Sequence, residues 1–433
     1  MSRTRPSSLI RAFVVAVAIV VAAAGCNTAP TPNAGSVKIL AGWFGQDQAT
    51  FLDVLKPFES STGIRVDYEA TRDLDQSLTA RAASGDLPDV SSAPGPTTVS
   101  ALIKQSKLLP LDDKIDVNAL RQNYPQTWID LGTIQGKTYQ LFAWVDLKGL
   151  VWYSPKSFQA NGYNVPRSWD DLLALQDTIK TGGAAPWCIA LDTGSASGWP
   201  GTDWLKEIVL AQAGPAVYDS WVVGKQKWTS PEIKAAFQTW GTILGPKDGN
   251  VYGGAQLMKA TSVVDGGTHM FDSPPKCYMH NQASFITSLF TSSNPNLQPI
   301  TDFNFFPLPD INSQFTGTHV VEGDSFVMTR DTPQARKLLT YLSTGPAQAI
   351  WVAHGGKISP SLNVRFDLYK DPLARQLAQI VGETKIARFD ATDQMPASMR
   401  AAAYKAVLDF VVDQSKLDTI LKTLDQVQTA AYK

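Results

Sequence analysis

The 433-residue chain has only four histidines and three cysteines. His269, His280, His319 and His354 form no HExxH pattern, and two cysteines with other uses leave no zinc spacing, so no metal and no cofactor is expected. A phosphate-binding loop is also missing. Gly132–Thr138 reads GTIQGKT, with three residues between its glycines where that motif needs four, and it runs into the strand-like Tyr139-Gln140-Leu141. Gly194-Ser195-Ala196-Ser197-Gly198 has alanine where a nucleophile elbow needs serine. These absences exclude nucleotide chemistry and a serine nucleophile, and no catalytic residue is assigned. Carboxylate pairs stay open: Asp390 with Asp393, or Asp47 with Asp203, have the residue types of a glycosidase acid and base, but the gap between carboxyl groups is not legible in a sequence.

One hydrophobic run is long enough to notice, and it stands at the start. Arg3, Arg5 and Arg11 precede the apolar stretch Ala12–Ala24, too short for an ordinary membrane span and typical of a secretory signal. It ends in Ala23-Ala24-Gly25-Cys26, which resembles the lipobox of bacterial lipoproteins, so residues 1–26 are expected to be the signal peptide with Cys26 as the lipidated residue. Residues 27–36, rich in Pro, Asn and Thr, read as a tether. Two or three acyl chains would hold the protein on the outer face of the cell membrane. Removing the three arginines leaves 35 basic against 39 acidic side chains, which gives nucleic acid no attraction. With Cys26 lipidated, Cys188 and Cys277 remain as an even pair outside the cytoplasm, either bridged or both buried as free thiols.

About 400 residues exceed what one core usually holds, so two lobes are expected. Val37–Ala41 reads as a buried strand, and Ala49–Thr62 as a helix with Phe51, Val54, Leu55 and Phe58 on one face. Pro57 predicts a kink or an early end. Ile64, Val66 and Tyr68 alternate as a strand, Leu74–Ala83 reads as a helix, and Val90 enters a third strand. This β-α-β-α-β opening implies a parallel sheet in an α/β protein. Ser168 with Asp171, Ser230-Pro231 and Thr332-Pro333 mark later helix starts.

Twelve tryptophans are the positive signal. Trp128, Trp169, Trp240 and Trp351 lie in helical periodic runs and belong to a core. Trp43-Phe44-Gly45-Gln46-Asp47, Trp144-Val145-Asp146 and Trp199-Pro200-Gly201-Thr202-Asp203-Trp204 instead set aromatic rings beside carboxylates. That pairing suits a sugar, whose C–H face packs on a ring while its hydroxyls donate to an acid.

The segments Gly85–Val90, Leu109–Asp113, Gly136–Tyr139, Leu150–Ser154, Val165–Leu172, Phe306–Pro309, Glu322–Met328 and Trp351–Gly356 follow one another in an order similar to carbohydrate-binding proteins of ABC importers, the maltose-binding type. Pro186-Trp187-Cys188, Gly198–Trp204, Cys277–Phe285 and Phe389–Pro396 resemble the α-glucoside-binding members more closely. After Met395-Pro396 this chain departs from them, reading Ala397-Ser398-Met399-Arg400-Ala401 where aromatic residues often face the sugar, and this points to a smaller or acidic glucoside. The resemblance implies a two-lobed periplasmic-binding-protein fold with a hinged cleft. Lobe 1 would comprise 36–146 plus 323–360, and lobe 2 147–322 plus 361–433. It implies a Cys188–Cys277 disulfide, a small-molecule sugar ligand, ABC permease subunits as partners, a monomer, and no enzyme activity. The substrate-binding residues expected are Trp43, Phe44, Asp47, Arg72 and Asp73 from lobe 1, and Trp144 and Lys148 at the hinge. Lobe 2 would add Trp199, Asp203, Trp204, Asp265 and Asp390, with Asp324 facing them. The rival readings are an anchored glycoside hydrolase and a binding protein of this fold for a metal or an anion.

Overall fold

The computed structural model describes residues 34–433; the leader, Cys26 and most of the tether lie outside the described residues. The strand Ser36–Ala41 is followed by the helix Gly45–Thr62, the strand Arg65–Ala70, the helix Leu74–Ser84 and the strand Val90–Ser92. The first strand pairs in parallel with the other two, as the opening pattern requires. The helix Gly45–Thr62 runs unbroken through Pro57 to its cap at Gly63, so the expected kink is absent. Pro57 is exposed, and a proline on the solvent side of a helix gives up a hydrogen bond that water can replace at little cost.

The sheet as a whole is mixed and not parallel throughout. The long strand Thr318–Met328 joins it antiparallel to Val90–Ser92 and, on its other edge, antiparallel to Leu141–Leu147. Its N-terminal half also pairs in parallel with Ile386–Phe389. A second sheet takes Asn304–Pro307, Leu150–Tyr153, Cys277–Gln282 and Ala185–Trp187 in that order. Chain therefore passes from the first sheet to the second between Leu147 and Leu150, and the two sheets are the centres of two lobes. Gly132–Thr138 forms a small hairpin, Thr133–Ile134 against Lys137–Thr138, with Gln135 and Gly136 at positive φ in its turn.

Helix starts follow the caps read from sequence. Ser168 accepts from Asp171 N at 3.1 Å ahead of Trp169–Thr181, and Thr332 from Ala335 N at 3.1 Å ahead of Pro333–Leu342. Trp128, Trp240 and Trp351 are fully buried, as expected, and Trp169 is partly so. Cys188 and Cys277 are disulfide-bonded with Cα atoms 5.4 Å apart, tying the strand Cys277–Gln282 to the segment after Ala185–Trp187.

Candidate functional site between the lobes

The helix Trp199–Val222 begins where Gly198, at φ 106°, passes Tyr404 so closely that a Cβ would lie 2.3 Å from its carbonyl oxygen. Only glycine lets the helix start at that point. From this start, Trp199, Asp203 and Lys206 fall on one face at intervals of four and three residues, with Glu207 beside Asp203. Trp204 is turned away from Trp199 by helical geometry. It is 1% exposed and meets Trp187 edge-on at 5.0 Å, so it belongs to the second lobe's core and not to the site where the sequence pattern set it.

Facing that helix is the crossing segment 147–149. Lys148 Nζ lies 3.2 Å from Asp203 Oδ2, 3.1 Å from Glu322 Oε2 and 2.9 Å from Asp390 Oδ2. Lys206 Nζ lies 2.6 Å from Asp203 Oδ1 and 3.2 Å from Thr392 Oγ1, and it also bonds Asp390. Asp390 caps the turn Ala391–Gln394, accepting from Thr392 N at 2.9 Å. Burial alone would raise the Asp390 carboxyl, but the two ammonium groups hold it well below the usual carboxylate range. Burial would likewise lower both lysines, and their carboxylate partners raise them instead. Each charge is therefore fixed, as buried charges must be when paired on all sides. Gly149, at φ 64°, lets the crossing chain pass Glu207, whose carboxyl carbon would stand 2.5 Å from a Cβ there. Glu207 accepts from Val320 N at 3.2 Å, and burial pushes its carboxyl up to about 8.

The carboxyl oxygens of Glu322, Asp390 and Asp393 approach within 4.8 Å of one another, with the lysines supplying positive charge beside them. Arg400 stands at the rim, 3.9 Å from Asp393. Two cations keep Asp390 ionised while burial raises its neighbour Asp393, and Asp47 and Asp203 are each engaged by lysine.

Above the cluster stands the aromatic surface that is reachable. Trp199 is partly exposed, 6.2 Å from the partly exposed Phe285, with Lys148 Nζ 5.3 Å from the indole. On the other side, Trp43 and Trp144 are 5% and 2% exposed and packed at 4.9 Å within a nest that includes Phe51, Phe326 and Trp351. They form the floor of the first lobe and do not offer an open stacking edge. Lys357, which the sequence reading missed, lies 4.3 Å over the Trp144 ring and 3.3 Å from Asp47. Its only sequence signal is the Gly355-Gly356 pair that frees the loop to turn back. Asp324 is pushed up to about 6 by burial, against the pull of Lys357 and a hydrogen bond from Trp43.

The remaining expected residues are more dispersed. Phe44 is exposed on the rim with the Arg72 guanidinium 5.0 Å above its ring. Asp73 caps the helix Leu74–Ser84, accepting from Gln76 N at 3.2 Å. Asp265 is exposed in a turn closed by its own N–H to Ser262 O. The structure thus brings together Lys148, Asp203, Asp390 and Trp199, adds Lys206, Glu322 and Phe285, and buries Trp204.

Two α/β lobes joined by crossing strands, with a charged and aromatic seam between them, define a solute receptor. Residues 41–349 match the bacterial extracellular solute-binding protein family, and the chain belongs to it. It is 33% identical over 376 residues to the osmoprotective compounds-binding protein GgtB of Synechocystis, covering 87% of this chain and 88% of that one. Over 391 residues it is 33% identical to the α-glucosides-binding periplasmic protein AglE of Rhizobium meliloti, with 88% and 85% covered. Among solved structures, the bacterial solute receptor AcbH superposes with a TM-score of 0.81 at 18% identity, covering 92% of this chain and all of that one.

Proposed function

We propose that the protein is the extracytoplasmic receptor of an ABC importer, capturing an α-glucoside-type sugar between its lobes and delivering it to the permease. The observation that carries the reading is the Trp199–Phe285 surface set directly over the Lys148–Asp203–Asp390 cluster. A sugar ring stacks on the indole while its hydroxyls donate to the carboxylates, and the buried cluster holds those acceptors still. The similarity to AglE supports the sugar class. Arg400 beside Asp393 supports a ligand that is small or carries an acid. A micromolar complex requires about −8 kcal/mol, within reach of a few stacks and charge-assisted hydrogen bonds net of ordering costs. Closure of the lobes about the segments that cross between them distinguishes loaded from empty receptor for the permease. Cys26 anchors the mature monomer to the membrane through lipid.

The test is calorimetry against maltose, trehalose, sucrose and glucosylglycerate, together with mass spectrometry of any co-purifying small molecule. Saturable binding of a glucoside without turnover is expected. Release of free glucose from these compounds, or binding of none of them while a non-carbohydrate co-purifies, would overturn the reading.

A further inference from the structure

The two strands that leave the first sheet toward the second lobe carry acids at facing positions. In the antiparallel register, Glu322 stands directly opposite Asp146, and Asp324 opposite Trp144, the register shift lying beyond them between Asp324 and Ser325. Directly opposed side chains have Cβ atoms about 4.5–5.5 Å apart, and like charges there repel. The cations near the pair are shared with other carboxylates. Lys148, 3.1 Å from Glu322, is shared with Asp203 and Asp390, and Lys357 is engaged by Asp47. Ser284 donates to Asp146 Oδ1 at 2.7 Å, a neutral partner. Glu322 still keeps 28% of its side chain exposed, the opening that an entering hydroxyl needs.

We propose that Asp146 and Glu322 share one proton in the empty cleft, and that a bound sugar displaces it, its hydroxyls donating to the freed carboxylates. The O–H bond of the carboxyl breaks, the proton passes to solvent, and capture is tied to proton release. This rests on the sugar reading above, and its test separates the two. Every charged neighbour enters the balance. Asp146 faces Lys357, Lys148 and Asp47; Glu322 faces Lys148, Asp146, Asp203 and Asp390; Asp324 faces Lys357, Asp146 and Asp47. Burial raises Asp146 and pushes Glu322 up to about 7, in keeping with a retained proton.

Because the bound state favours the ionised pair, affinity rises with pH. For a group near 7 that ionises on binding, the gain between pH 6 and pH 8 is about tenfold. Calorimetry with maltose and trehalose at pH 6, 7 and 8, in phosphate and in Tris, reads the released proton from the buffer dependence of the heat. Release of about half a proton at pH 7, and loss of the pH slope in Glu322→Gln, are expected. Binding with no buffer dependence, or with proton uptake, would overturn the proposal. If neither sugar binds, carboxyl 13C titration of the ligand-free protein decides it. One of the two carboxyls titrating above pH 6, and falling in the partner variant Asp146→Asn, supports a shared proton. Both titrating below pH 5 refutes it.

Discussion

Lys148→Met removes the ammonium on which three carboxylates converge. At about 3 Å and an effective dielectric of about 20, each attraction amounts to roughly 5 kcal/mol before desolvation, and burying each ion costs several kcal/mol in return. Asp203 and Asp390 keep Lys206 in the variant, whereas Glu322 loses its cation. The net loss is therefore expected near the low end for a broken buried pair, about 3 kcal/mol at pH 8. The pH dependence has a definite sign. Asp390 contributes stability above its unfolded value, lost as pH falls through its depressed folded value, and removing Lys148 shrinks that contribution. Glu322, raised to about 7, already costs stability as pH rises through that value, and the cost grows without Lys148. The deficit should be largest at pH 8 and smaller at pH 5. Urea unfolding followed by tryptophan fluorescence at both pH values measures it. A loss under 1 kcal/mol, or one that grows on acidification, would refute the picture of a buried lysine holding three carboxylates.

Trp199→Ala should weaken sugar binding at least tenfold in calorimetry with the unfolding midpoint held. Trp204→Ala should instead lower stability by about 3–5 kcal/mol through the cavity it leaves against Trp187. Gly149→Ala should destabilise by about 1–2 kcal/mol from the positive φ alone, and further by displacing Glu207; thermal unfolding reads both. Reducing Cys188–Cys277, which are 89 residues apart, should cost at most about 4–5 kcal/mol on the chain-entropy account, seen as a lower urea midpoint with dithiothreitol.

Local rules carried the sequence reading a long way. The β-α-β-α-β opening, the serine and threonine caps, the burial of Trp128, Trp240 and Trp351, and the bridged cysteines each depend on periodicity, on a residue's neighbours, or on motif order similar to a family. Pro57 misled because its penalty depends on which side of the helix faces water, something only the packed sheet decides. The α/β class was legible, but the antiparallel entry of Thr318–Met328 was not, since it pairs that strand with segments far upstream in the chain, Val90–Ser92 and Leu141–Leu147.

The site divides along the same line. Of the residues singled out for their aromatic and carboxylate neighbours, Lys148, Asp203, Asp390 and Trp199 converge in the structure. Sequence by itself fixed which side chains are available to grip a ligand. Only the tertiary structure chose among them. The phase of the helix from Gly198 turned Trp199 to the seam and Trp204 into the core, the aromatic nest closed over Trp43 and Trp144, and strand register set Glu322 against Asp146. Those outcomes depend on rotation about a helix axis and on pairing between distant strands, quantities that arise only when the two lobes pack.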